Sequence, residues 1–76
     1  MVIAYILAIV RSGAEKEVID TLKKEAKIKE VHMVYGEFDV VAKIELDSIS
    51  DLSDFVLDKI RAIPYIEKTT TLIVAG

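Results

Sequence analysis

Val2–Val10 reads VIAYILAIV, apolar at both parities and rich in β-branched residues. A strand of that kind needs cover on both faces. The period then changes. Val18, Ile19, Leu22 and Ala26 share one face of a helix that runs to about Glu25, with Lys and Glu on its other face. Ser12 and Glu15 stand ahead of it at capping-box spacing. From Ile28 to Tyr35 the chain alternates, Val31, Met33 and Tyr35 against Glu30, His32 and Val34, which predicts a half-buried strand. Gly36-Glu37 turns the chain, and Phe38–Leu46 follows as its hairpin partner. Phe38, Val40, Ala42, Ile44 and Leu46 take one face of that strand, and Asp39, Val41, Lys43 and Glu45 the other. Ser48 and Asp51 repeat the capping spacing before Leu52, Phe55, Val56 and Ile60, a second helical face that Pro64 ends near Ala62. Ile66–Val74 is the last strand.

The order β-α-β-β-α-β, without repeats or linkers, predicts two interlocked right-handed crossovers. The fold expected is α+β and ferredoxin-like: a four-stranded antiparallel sheet of order 4-1-3-2, with both helices on one face. Nothing in the chain covers the other face. A second copy packed sheet to sheet would cover it, with Ile6 or Ala8 facing the partner.

Composition supports that expectation. The chain has 76 residues, 53% hydrophobic, with mean hydropathy +0.40. Domains of this size have marginal cores and rely on disulfides, metals or association. There is no cysteine and a single histidine, so neither a disulfide nor a one-chain metal cage is available. Association remains. Asn, Gln, Cys and Trp are all absent while Lys and Glu are plentiful, a thermophile-type composition. The net charge of −3 and pI near 5.0 leave no basic footprint for nucleic acid. The apolar N-terminus is too short to span a bilayer and has neither a basic flank nor a cleavage site, so a cytoplasmic protein without membrane contact is expected.

Few residues carry chemistry. His32 lies on the less apolar face of its strand, and no carboxylate to orient it is evident nearby; a cofactorless dimeric enzyme using His32 is the alternative kept open. Ser12-Gly13-Ala14 is not a phosphate loop, there is no Cys-x-x-Cys pair, and Glu37 and Asp39 would repel RNA from Tyr35 and Phe38. Asp39 stands at the head of an apolar strand, where a carboxylate needs a partner. It could accept backbone N–H bonds and fix the glycine turn. Alternatively, Asp39 for an ammonium, the amides of Gly36–Phe38 for a carboxylate and the hydroxyls of Thr69-Thr70-Thr71 would suit a free amino acid.

The run Val34-Tyr35-Gly36-Glu37-Phe38-Asp39-Val40-Val41, then Leu52 and Phe55, then Ile66–Val74 with Thr69-x-Thr71, resembles the RAM ligand-sensing domain of the leucine-responsive regulatory protein/AsnC family. The resemblance covers essentially the whole chain. It implies a single domain over residues 1–76, a homodimer through the sheet face, a ring of dimers and an amino-acid effector held where dimers meet. Gly36, Glu37, Phe38, Asp39, Thr69 and Thr71 would form that site, with Glu37, at the variable position, tuning the choice toward polar or basic ligands. Family members carry a helix-turn-helix ahead of this domain; the expectation here is a stand-alone sensor without one. It would act through oligomers with itself or with full-length regulators. A purely structural oligomer is a further alternative. No catalytic residue, metal or cofactor is implied.

Overall fold

A computed structural model describes residues 1–76. β1 (Val2–Val10) runs down the middle of a four-stranded sheet, between β3 (Val40–Leu46) and β4 (Ile66–Ile73), and β2 (Ile28–Met33) flanks β3. The order β2-β3-β1-β4 is the expected 4-1-3-2 read from the other edge, and every neighbouring pair is antiparallel. α1 (Glu15–Lys23) and α2 (Ile49–Phe55), the latter continued by a π-helical turn over Val56–Ile60, join the strands.

Alternation decides what each residue of β1 meets. Ala4, Ile6, Ala8 and Val10 are buried beneath the helices, together with Val40, Ala42, Ile44 and Leu46 of β3. Val18 and Leu22 of α1 and Leu52, Phe55 and Ile60 of the second helix close this core. It comprises 15 residues and contains no polar side chain. Ile3, Tyr5, Leu7 and Ile9 take the opposite face and are only half-buried. Ile6 and Ala8 therefore face the helices, contrary to the expectation that one of them meets a partner. A substitution aimed at the uncovered face has to be placed at an odd-numbered position of β1.

Local departures have local causes. Ser12 does not cap α1. The chain turns at Gly13, where φ is +93°, and Ala14 occupies the cap position without a side-chain bond; Glu15 Oε1 still reaches back to accept from Gly13 N at 2.9 Å. Ser48 does cap α2, its hydroxyl accepting from Asp51 N. α1 stops at Lys23 because Lys24 and Glu25 donate to the carbonyls of Thr21 and Leu22, a tightened last turn. β2 ends at Met33 and β3 begins only at Val40, so the hairpin connection is longer than the expected Gly36-Glu37 turn. Tyr35, placed by periodicity beside Val31 and Met33, lies past the strand end and is 100% exposed. A bulge between Ile28 and Glu30 lets Ile28 pair with Ile44 and Val31 with Ala42, so both turn toward the helices although three residues apart. No helix is long and apolar enough to cross a membrane.

Ile44 is wholly buried at the centre of this core. Ile44→Ala is expected to cost about 2–5 kcal/mol of unfolding free energy, read as a lowered urea midpoint at unchanged slope.

Candidate functional site

The β2–β3 connection, Val34–Asp39, is built on hydrogen bonds from its two ends. Val34 N donates to Asp39 O at 2.9 Å, and Asp39 N donates to Ala8 O at 2.9 Å. Successive residues of a strand send their N–H and C=O groups to alternate sides, so Val10 N, like Ala8 O, points toward β3. β3 has not yet begun at that level. The Asp39 carboxylate supplies the missing acceptor, taking the Val10 N–H at 2.8 Å through Oδ2. Asp39 thus accepts a backbone amide, as one of the two sequence readings held, but the amide belongs to β1 and not to the turn. One carboxylate oxygen is committed to the fold, and Oδ1 has no partner in the chain.

Between these anchors, Gly36 adopts φ +131°, a conformation that side-chain-bearing residues rarely reach. The amides of Gly36, Glu37 and Phe38 donate to no acceptor within the chain. Glu37 is exposed, and Phe38 is half-buried. The turn therefore combines unpartnered N–H donors with a free carboxylate oxygen a few residues on.

Thr69 and Thr71 occupy the helix-facing side of β4, opposite Ala8 and Ile6 of β1. Thr69 lines a polar concavity of about 250 Å³ with Arg61, Glu67 and Lys68. Thr71 lines a separate groove of about 360 Å³ between β4 and the second helix, whose walls are Ile49, Leu52, Val56, Leu57 and Ile73, with Ser53. Neither includes a residue of Gly36–Asp39. β1 separates the turn from β4, so one subunit does not bring the six residues into a single cavity. Sequence reasoning overlooked the groove, because its walls come from two segments that only the crossover puts side by side. The helical spacing of Leu52 and Val56 was visible, but not that Ile49 and Leu57 would be left out of the core.

His32 lies on the uncovered sheet face, 3.3 Å from Glu30 Oε1, and Glu30 Oε2 is 3.8 Å from Lys43 Nζ. A carboxylate does therefore neighbour His32, two residues back on the same strand face; periodicity implied this, and the sequence reading passed over it. The imidazole is 63% exposed on that surface. At the other end of β4, the Arg11 guanidinium lies 5.9 Å from the Tyr65 ring centre, and Arg11 N donates to Tyr65 O. Tyr65 holds a φ of +74°, and these two contacts fix it at the entry to β4. Nowhere do three or more His, Cys, Asp or Glu side chains gather as a metal would need.

The Asp39–Val10 bond gives a direct test. Asp39→Ala is expected to destabilise the domain by about 1–3 kcal/mol, since it strands a buried amide, whereas Asp39→Asn, which keeps an acceptor oxygen, recovers most of the loss. Denaturant titration of the two variants measures the difference, and faster hydrogen exchange at the Val10 amide locates it.

Comparison with known proteins supplies the family. The chain is 40% identical to the HTH-type transcriptional regulator FL11 of Pyrococcus horikoshii over 72 residues, 95% of this chain and 47% of the regulator. It thus spans about half the length of the curated relatives it matches. Their source in Pyrococcus fits the thermophile-type composition. The crystal structure of FFRP-DM1 superposes with a TM-score of 0.95 at 41% identity, covering 99% of this chain and 100% of that one. A regulator from Neisseria meningitidis, NMB0573, solved as an L-Met complex, shares the fold at 18% identity, with a TM-score of 0.89 over 99% of this chain and 50% of that one. The relatives are named transcriptional regulators and the matching domain is a ligand-binding one, so the chain is a regulatory ligand-sensing module and the enzyme reading of His32 falls away. The family model described as the Lrp/AsnC ligand binding domain matches residues 3–75, and the chain belongs to that family.

Proposed function

We propose that the chain senses a free amino acid bound between copies of itself, held by the turn Gly36–Asp39 and by Thr69 and Thr71. The observation that carries this reading is the turn's pairing of opposite polarities. Unpartnered amides at Gly36, Glu37 and Phe38 suit a carboxylate, and the free oxygen of Asp39 suits an ammonium. A free α-amino acid presents both groups on one carbon. The separation of the turn from β4 within a subunit favours a site completed by a neighbouring copy. The regulator NMB0573, which shares the fold, was solved with L-Met.

The assembly that would bring copies together begins at the uncovered sheet face. Ile3, Tyr5, Leu7 and Ile9 lie there beside Val41 and Leu72, an apolar band without cover from the chain's own helices. A homodimer packed sheet to sheet buries it, and a ring of dimers then juxtaposes turns and β4 edges. Ligand binding would alter that ring, or mixed oligomers with full-length Lrp/AsnC-type regulators, and so modulate transcription without direct contact between this domain and nucleic acid. The acidic charge agrees with the last point.

Two outcomes follow. In calorimetry of the assembled protein, at least one common amino acid binds; Asp39→Asn weakens it about ten- to a hundredfold, Thr71→Val about fivefold, and His32→Ala leaves it unchanged. The absence of binding by any common amino acid at millimolar concentration defeats the sensor reading. In light scattering, the wild type is a dimer or larger, and Leu7→Asp shifts it toward smaller species, because an unpaired charge in a sheet interface is strongly unfavourable. A folded wild-type monomer at micromolar concentration refutes the assembly.

A further inference from the structure

Resting on the sheet-to-sheet dimer proposed above, we infer that His32 is a proton-sensitive element of that interface: the two sheets pack while its ring is neutral, and a proton on the ring weakens the packing. His32 is the one histidine of the chain. The sensing role given to the turn and to β4 makes no use of it. Imidazole is also the only side chain whose ordinary titration lies between pH 5 and 8.

The register of the sheet places the ring. His32 pairs with Val41 of β3, Val41 with Leu7 of β1, and Leu7 with Thr70 of β4, so His32 ends a cross-strand row on the uncovered face. The next row is Glu30, Lys43, Tyr5 and Leu72. A second copy that covers Leu7 and Val41 also covers this end of the row, and the imidazole, 63% exposed in the single chain, loses water. A neutral ring beside Val41 tolerates that change, whereas an imidazolium needs a counter-charge.

Only one counter-charge is at hand, and it is shared. Glu30 Oε1 is 3.3 Å from His32 Nε2, and Glu30 Oε2 is 3.8 Å from Lys43 Nζ. With the ring neutral, Glu30 and Lys43 balance. Protonation sets two cations against one carboxylate. The other groups of this face do not offset the excess. Asp39 follows Val41 on β3, but its carboxylate is turned to the Val10 amide. Glu45 lies beyond Lys43, across from Ile3, and the phenol of Tyr5 offers a hydroxyl but no charge. Lys68, across from Ile9 on β4, adds a further positive charge, and Lys29 is turned back onto Ala26 O. Protonation therefore opposes association. The separated subunits hold the proton in water more readily than the packed sheets do, so the dimer is strongest where the ring is neutral and weakens as pH falls through the ordinary imidazole range, near about 6.5.

The experiment compares subunit association at about pH 7.5 and about pH 5.5. A dilution series in light scattering gives the dissociation constant; for a complex too tight to dilute apart, native mass spectrometry of mixed nitrogen-15-labelled and unlabelled copies gives the rate of subunit exchange. Each subunit gains a proton on separation, and one such proton is worth about tenfold one pH unit below the imidazole range, so the wild type is expected to loosen about ten- to a hundredfold at the lower pH. His32→Leu continues the apolar row, stays associated at both pH values and loses the dependence. His32→Lys carries the positive charge permanently and is loosened at both, with the circular dichroism spectrum of each variant as in the wild type. A wild type equally or more tightly associated at the lower pH, or a His32→Leu variant with the same pH dependence as the wild type, overturns the role of His32 and leaves the dimer standing. A folded wild-type monomer at the higher pH removes the sheet-to-sheet dimer itself, and this inference with it.

Discussion

A strand apolar on both faces, placed in the middle of a sheet, is the constraint on which the rest of this molecule depends. β1 donates and accepts along both edges, to β3 and β4, so its position is central. Its even-numbered residues are covered by the chain's own helices, and its odd-numbered residues are not. The chain has only two helices, and both pack on the one core that covers the even-numbered face of β1, as right-handed crossovers require. Ile3, Tyr5, Leu7 and Ile9 are left half-buried, and the proposed association would cover them by the same hydrophobic effect that folds the core.

A second constraint shapes the end of the sheet where the turn lies. β3 departs from the ladder before β1 has finished, leaving Val10 N facing empty space. The Asp39 carboxylate closes that gap. One oxygen of that group holds β1, and the other remains without a partner in the chain, near the unpartnered amides of the turn. In the proposed site, fold and binding chemistry would share one side chain, which is why Ala and Asn at this position separate the two roles.

The capping spacing shows how far local reasoning reaches. Ser12 and Ser48 look alike in the sequence, each three residues before an acidic residue. Ser48 caps its helix; Ser12 does not, because Gly13 turns the chain first and the helix starts later. The hairpin forms as expected, but its strands stop short of the turn. Alternation from Ile28 to Tyr35 suggests a longer strand, but it cannot register that regular pairing ends at Met33 and Val40, with Val34 N still bonded to Asp39 O and Asp39 reaching across to β1. Glu30 beside His32 was within reach of the period-two rule and needed no tertiary information.

The sequence by itself determined the order of elements, the antiparallel topology, the core face of β3 and the pattern of turn and threonines that marks the family. These depend on periodicity and on residues near one another in the chain, where local sterics and burial dominate. Only the tertiary structure decided which parity of β1 faces the helices, what Asp39 binds, that the turn and β4 lie on opposite sides of β1, and that Thr71 opens into an apolar groove. Each of these joins segments about thirty or more residues apart in a strand order that differs from the chain order, or depends on a helix packing its face one way and not the other. A hydrophobic pattern records that a face will be buried, but its partner is fixed only when the sheet and helices close on each other.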